Sequence, residues 1–131
     1  STLYFKANDG TNGSELWKTD GSTSGTVMVK DIYPDSGGSN PYDLTVVGDG
    51  FGGEVLYFVA NDGSLGYELW RTDGTAEGTA MVKDIRYGSD SGLEYTDMYA
   101  VGDILLFTAN DGITGNELYW NAFPETSIYY E

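Results

Sequence analysis

Glu15-Leu16-Trp17-Lys18-Thr19-Asp20-Gly21 returns later in this 131-residue chain as Glu68-Leu69-Trp70-Arg71-Thr72-Asp73-Gly74. Upstream of each copy, residues 3–10 recur as residues 56–63, and they recur again as residues 105–112. The chain is therefore a tandem repeat, in which we distinguish units of residues 1–41, 42–94 and 95–131. A residue that returns once per unit builds the unit more often than it performs chemistry.

Each unit contains short runs rich in β-branched and aromatic residues, which predict strands and which we letter a to d. Run a covers residues 43–47 and 97–101, run b the Leu-Tyr-Phe segment, run c the Glu-Leu-Trp segment and run d the Met-Val-Lys segment. Four antiparallel strands in a unit of this length are typical of a propeller blade. We therefore predict an all-β, β-propeller-like fold of about 2.5–3 four-stranded antiparallel blades, closed by other copies or by the rest of a longer protein.

The chain is strongly acidic, with 21 Asp and Glu against 6 Lys and Arg and a net charge of −15. Binding to phosphates needs cations, so this charge argues against nucleic acid and favours Ca²⁺ or cationic surfaces as partners. No long apolar run is present, so we expect no insertion into a membrane.

Histidine and cysteine are both absent, which excludes enzymes built on an imidazole base or a thiol nucleophile. An acid–base glycosidase remains chemically open and would use unrepeated carboxylates such as Glu54, Glu94 and Glu125. Because the other acidic residues mostly recur at fixed repeat positions, we predict that the protein is not an enzyme.

The repeated Glu-Leu-Trp-x-Thr-Asp-Gly segments resemble the bacterial ELWxxDGT repeat, a motif of large, mostly secreted or surface proteins. Two copies of the motif are full. The third keeps Glu117-Leu118, has Tyr119 at the tryptophan position, and has residues 121–124 in place of the Thr-Asp-Gly turn. The resemblance implies a repeat architecture and an extracellular or cell-surface location, and the departure indicates a terminal unit.

Asp20 and Asp73 open the turn between runs c and d. We predict a structural role for them, in which each carboxylate accepts hydrogen bonds from nearby backbone N–H groups and from the hydroxyl of Thr26 or Thr79.

Three glutamates, Glu15, Glu68 and Glu117, precede the aromatic position of run c. Because opposite charges pair across strands, we expect them to contact lysines of run d such as Lys30 and Lys83.

The Asn-Asp-Gly-x-x-Gly loops between runs b and c are candidate calcium sites, because carboxylate and amide oxygens are ligands that Ca²⁺ prefers. The alternative is turn chemistry alone, since Asn, Asp and Gly are the usual turn residues. The candidate ligands are Asn8, Asp9, Asn61, Asp62, Asn110 and Asp111.

Trp17, Trp70 and Trp120 are candidates for stacking against sugars, and Asn12 begins a glycosylation sequon. The alternative for Trp17 and Trp70 is a core position between blades, because each is followed by a polar residue on a half-buried strand.

The first unit begins at run b with no run a before it, which leaves a strand edge that needs covering. Residues 126–131 are either run d of their own unit or a strand given to a neighbouring copy. Our leading hypothesis is an extracellular structural or adhesive protein that assembles into a ring or fibre through the sheet edges near the termini. The alternative is a carbohydrate-binding module with one shallow site per repeat. The predicted assembly residues are Leu3, Tyr4, Phe5, Ile128, Tyr129 and Tyr130.

Overall fold

The predicted runs form eleven strands in a computed structural model that describes residues 1–94, 96–125 and 129–130, the last two by their backbone. The strands are β1 (Leu3–Asn8), β2 (Ser14–Thr19), β3 (Val27–Lys30), β4 (Tyr42–Gly48), β5 (Glu54–Asn61), β6 (Tyr67–Thr72), β7 (Ala80–Lys83), β8 (Met98–Val101), β9 (Ile104–Asn110), β10 (Asn116–Ala122) and β11 (Tyr129–Tyr130). The prediction of an all-β chain is confirmed. In the described ranges, no helix is long and apolar enough to cross a membrane.

The strands make three antiparallel sheets, one within each repeat unit. Sheet 1 has the order β1-β2-β3, sheet 2 the order β4-β5-β6-β7, and sheet 3 the order β8-β9-β10-β11. Runs a to d therefore occupy consecutive places in sheets 2 and 3, whereas sheet 1 begins at run b. Strand β11 pairs with β10, with Tyr129 opposite Trp120. The terminal strand is thus run d of its own unit, and Ile128 lies outside the described residues.

Each sheet has two different faces, because successive side chains of a strand point to opposite sides. We call the side that carries the phenylalanine of run b and the aromatic residue of run c the front face. The side that carries the leucine of run c is the back face. The front faces are Leu3, Phe5, Ala7 and Trp17 in sheet 1, Leu56, Phe58, Ala60 and Trp70 in sheet 2, and Leu105, Phe107, Ala109 and Tyr119 in sheet 3. The back faces include Tyr4, Leu16 and Lys18, then Tyr57, Leu69 and Arg71, then Leu106, Leu118 and Trp120.

The sheets stack front to back and enclose two apolar clusters. The front of sheet 2 meets the back of sheet 1 in a cluster that contains Leu16, Phe58 and Trp70. The front of sheet 3 meets the back of sheet 2 in a second cluster, around Leu69 and Phe107. Sheet 2 is therefore buried on both faces, and six consecutive residues of β5, from Val55 to Ala60, are buried. Removal of this apolar area from water is the main stabilising contribution to the stack.

The loop that leads from one sheet to the next is held by the same backbone hydrogen bonds in both crossovers. The first loop joins sheet 1 to sheet 2, because Asn40 N donates to Ser14 O and Asn61 N donates to Ser39 O. In the second loop the bonds are Leu93 N to Tyr67 O and Asn110 N to Gly92 O. Each loop thus satisfies its own backbone groups and fixes the spacing between two sheets.

Candidate functional site

Glu15 and Glu68 lie on run c but do not pair with the run-d lysines, so that prediction is wrong. Both side chains are fully buried. The Glu15 carboxylate accepts hydrogen bonds from Tyr33 N at 3.0 Å, from Ser39 N at 3.0 Å and from Ser39 Oγ. Lys30 Nζ instead donates to Thr79 O at 3.0 Å. The reason is that the crossover loop turns several backbone N–H groups inwards, and a buried N–H group left without an acceptor costs free energy that the glutamate carboxylate avoids.

Glu68 holds the second crossover loop in the same way. Its carboxylate oxygens accept from Ile85 N at 3.0 Å, from Gly92 N at 2.8 Å and from Arg86 N at 3.4 Å. Burial raises the pKa of Glu68 to about 7, although these backbone donors act in the opposite direction. The anchoring carboxylate of the middle sheet therefore titrates close to neutral pH. The third equivalent, Glu117, is half-buried.

Asp20 and Asp73 have the predicted structural role, but their partners differ in part from the prediction. Asp20 Oδ1 accepts from both the N–H and the hydroxyl of Ser22, at 2.9 and 2.6 Å. Asp73 Oδ1 accepts from the same two groups of Thr75, at 2.9 and 2.6 Å. These bonds, the side-chain bond first, lower the pKa of each carboxyl. Both carboxylates are thus occupied by their own turns.

The hydroxyls of Thr26 and Thr79 donate to carbonyl oxygens and not to the aspartates. Thr79 Oγ1 donates to Thr75 O at 2.6 Å. Since a hydroxyl has one hydrogen, Thr72 Oγ1 must be the donor in its 2.6 Å bond to Thr79 Oγ1. Gly74 N in turn donates to Thr72 Oγ1 at 2.9 Å. The result is a directed chain of hydrogen bonds that closes the turn, and Thr19 and Thr26 form the same chain in the first unit.

One glycine of this turn is required by the aspartate. A Cβ placed on Gly78 would lie 2.0 Å from Asp73 Oδ1, and a Cβ on Gly25 would lie 2.0 Å from Asp20 Oδ1. Any other residue would displace the carboxylate from its bonds. The glycine of the motif is therefore explained by steric contact within the turn.

The three Asn-Asp-Gly loops use their candidate metal ligands for turn formation. In the first, Asn8 Oδ1 accepts from Gly10 N at 2.7 Å, and Asp9 Oδ1 accepts from Thr11 N and Asn12 N at 2.9 and 2.8 Å. The same pattern occurs in the other two loops, at Asn61 and Asp62 and at Asn110 and Asp111. Backbone hydrogen bonds lower the pKa of Asp9 and of Asp111. Among the described residues, no three acidic side chains come together as a cation site.

The three tryptophans have different surroundings. Trp70 is 7% exposed and packs in the cluster between sheets 1 and 2, as the core interpretation predicts. Trp17 is half-buried on the front of sheet 1, and Trp120 is half-buried on the back of sheet 3. In the described part of the chain, the indole N–H groups of Trp17 and Trp70 are buried without an acceptor. Ordered water commonly satisfies such groups.

The two outer faces of the stack remain open among the residues that the structure describes. On the front of sheet 1, Leu3 is 64% exposed, whereas its equivalent Leu56 is 3% exposed in sheet 2. On the back of sheet 3, Leu118 is 43% exposed, whereas its equivalent Leu69 is fully buried. One front face and one back face are thus open, and each carries a leucine whose equivalent is buried in sheet 2.

A cleft of about 480 Å³ opens between sheet 2 and the second crossover loop. It is lined by Tyr42, Asp43, Tyr67, Glu94 and Thr96. The centroids of the two tyrosine rings are 5.6 Å apart, and the ring planes are inclined by 58°. Burial and the nearby Asp97 carboxylate raise the pKa of the Asp43 carboxyl. The cleft therefore combines aromatic surface with acceptor oxygens.

Sequence reasoning missed both the cleft and the anchoring role of the glutamates. The cleft joins residues that are distant in sequence, and Tyr67 and Glu94 have no equivalent in the other units, so no periodic signal marks it. The glutamates did carry a signal, because each stands beside two apolar residues in a strand, and a charged residue in such a place needs buried partners.

Comparison of the chain with models of protein families, with curated proteins and with solved structures found no match in any of the three.

Proposed function

We propose that this protein is a non-enzymatic structural or adhesive repeat protein that acts by stacking its sheets against those of further copies. The observation that carries the proposal is the pair of open outer faces. Inside the chain, a front face meets a back face twice. The front of sheet 1 and the back of sheet 3 are the faces that a third interface of the same kind would use.

The occupant that fits these faces best is a second copy of the chain. An apolar front face with Leu3, Phe5 and Trp17 is complementary in kind to a back face with Leu118 and Trp120. A contact between two different faces is heterologous, and it gives a ring if the rotation closes and a fibre if it does not. A propeller is a radial stack of about four to eight four-stranded sheets. The front-to-back stacking of the three sheets in this chain supports the propeller-like interpretation.

The chemistry of the repeated residues supports a structural role. The aspartates of both turn types and the two buried glutamates are engaged by their own turns and loops. An extracellular or cell-surface location is supported by the resemblance to ELWxxDGT repeats. Contact between copies has to overcome repulsion, because each copy carries a net charge of −15.

Sedimentation velocity over a range of protein concentrations tests the proposal. We expect the wild type to form species larger than one chain, and we expect salt to favour them because it screens the repulsion. Trp17→Asp should shift the distribution to the monomer, because it places a charge on the open front face. Phe51→Asp is the matched control, since Phe51 is 80% exposed in the β4–β5 hairpin and belongs to neither face.

A monomeric wild type at every concentration and salt level would contradict assembly of copies. Equal loss of assembly in Trp17→Asp and Phe51→Asp would also contradict it, because a general charge effect would then explain the result. Circular dichroism of each variant checks that the strands remain folded.

Carbohydrate binding is a second candidate, favoured by the cleft between sheet 2 and the second crossover loop. Tyrosine rings stack on sugar faces, and the Asp43 and Glu94 carboxylates together with the Thr96 hydroxyl oxygen would accept hydrogen bonds from sugar hydroxyls. Because Tyr67 and Glu94 have no equivalent in the other units, this cleft would be a single site and not one of a repeated set. A glycan array identifies ligands, and Tyr67→Ala should abolish binding while Tyr87→Ala, at a residue that is 94% exposed, should not.

A further inference from the structure

Two cations cross from one sheet to the next at equivalent positions. Lys18 Nζ donates to Gly74 O at 2.6 Å, which joins sheet 1 to the c–d turn of sheet 2. Arg71 occupies the same motif position in sheet 2. Its guanidinium donates to Pro124 O at 3.1 Å and to Glu125 O at 3.0 Å, in the corresponding segment of sheet 3. It also lies 4.9 Å from the centroid of the Phe123 ring.

These contacts use two of the few cations that the chain carries. Only 6 Lys and Arg are present against 21 Asp and Glu, yet both cations bind backbone carbonyls of the next sheet. A carbonyl at the turn is a fixed acceptor, and a hydrogen bond from a charged donor is stronger than one from a neutral donor. The cation can therefore form this hydrogen bond only when the turn of the next sheet lies in the correct position opposite the back face.

The covered turn differs from the open one. Thr72 and Thr79, in the turn that lies under Lys18 and Lys30, are 0% and 1% exposed. In sheet 1 the corresponding turn is exposed at Gly21 and Thr26. The front side of sheet 1 thus presents an apolar face. Beside this face lies an open c–d turn, whose equivalent in sheet 2 accepts a hydrogen bond from Lys18.

We propose that the residue after the aromatic position of run c sets how tightly a back face binds a front face, through a cation that reaches the c–d turn of the partner sheet. This inference rests on the proposed stacking of copies. In sheet 3 the position is occupied by Trp120, which has no charge. A second copy therefore meets the open front of sheet 1 without a charged donor at this position, and the contact between copies is weaker than the contacts within the chain.

Trp120→Arg tests the inference, because it gives sheet 3 the residue that sheet 2 has at this position. The matched control is Trp120→Gln, which removes the same ring without adding a charge. In sedimentation velocity, we expect Trp120→Arg to associate about tenfold more tightly than Trp120→Gln, the effect of one hydrogen bond to a charged group. Adding Trp17→Asp to Trp120→Arg should abolish the gain. Equal association of the arginine and glutamine variants would overturn the inference.

A second measurement within one chain separates this inference from the proposed function. Lys18→Met should increase hydrogen exchange of the β1–β3 amides by about tenfold, because sheet 1 loses its bond to Gly74 O. Lys6→Met is the control, since Lys6 lies on the same back face and is exposed. Unchanged exchange in Lys18→Met would overturn the inference even if copies assemble. Faster exchange in Lys18→Met, with no association of any variant, would uphold the role of the cation and contradict the proposed stacking of copies.

Discussion

Sheets 1 and 2 carry the same motif, but their equivalent residues lie in different environments. Trp70 is buried between two sheets, whereas Trp17 is half-buried on an outer face. The threonines of the c–d turns differ in the same direction, since Thr79 is buried and Thr26 is exposed. The threonine hydrogen bonds that close the c–d turn are nevertheless the same in both units. The repeat thus determines its own turn, and the neighbouring sheet determines how much that turn contributes to stability.

The largest expected effect is the loss of Trp70. Trp70→Ala should lower the free energy of unfolding by about 3 to 5 kcal/mol, because it leaves a cavity between sheets 1 and 2. Trp17→Ala should lower it by about 1 to 2 kcal/mol, since only part of that ring is removed from water. Denaturant melts at several protein concentrations give both values. A Trp17 effect that grows with concentration would show that another copy covers the ring, and equal effects at low concentration would contradict the difference between the two faces.

The second effect concerns pH and the glutamate that anchors the second crossover loop. Glu68 has a pKa of about 7 in the folded chain, against the ordinary value of 4.5. Between these values the folded state holds a proton that the unfolded state has lost, so stability falls as pH rises from about 4.5 to about 7. The total change from this group is on the order of 3 kcal/mol at most.

Glu68→Gln isolates that contribution, because glutamine does not titrate. The difference in unfolding free energy between wild type and Glu68→Gln should shift in favour of the variant as pH rises through this window. Carboxylates distant from Glu68 contribute alike to both proteins and cancel in the difference. A difference that stays constant from pH 4.5 to 7.5, about the span of the two pKa values, would contradict the raised pKa.

A smaller effect is expected in the c–d turns. Thr79→Val removes the hydroxyl that donates to Thr75 O and accepts from Thr72, and both bonds lie inside the protein. We therefore expect the free energy of unfolding to fall by about 1 to 3 kcal/mol. Thr26→Val breaks the same bonds in sheet 1, where water replaces them, and we expect a loss below about 1 kcal/mol. Thermal melts of the two variants measure the contrast. A loss as large for Thr26→Val would mean that the first turn is covered in solution.

The smallest effect is expected for calcium. The Asn-Asp-Gly loops already satisfy Asp9, Asp62 and Asp111 with backbone N–H groups. Millimolar Ca²⁺ should therefore raise the melting temperature by a few degrees at most relative to EDTA, by binding the acidic native state. If the melting temperature is the same in both, the loops are turns without a metal. Asp111→Asn, which keeps the acceptor oxygen, shows whether any rise depends on the charge of the third loop.

The strands could be predicted well from the sequence, because the alternation of apolar residues and the glycine-rich turns are local signals. The order of runs a to d in sheets 2 and 3 agrees with the observed topology. The partners of Glu15 and Glu68 could not be predicted from strand pairing. They lie in the crossover loop, at residues 33 and 39 in one unit and at residues 85, 86 and 92 in the other. Their position depends on how that loop folds back under the sheet.

The repeat by itself determined the strands, the turns and the bonds that close them, because each depends on residues that are neighbours in the chain. Gly78 beside Asp73, and Thr72 beside Thr79, need no other sheet to take up their conformation. Only the tertiary structure decided which copy of each motif residue is buried and which outer face stays open. Burial depends on a partner surface that lies a full unit away in sequence, and no residue of the motif carries information about whether that partner is present.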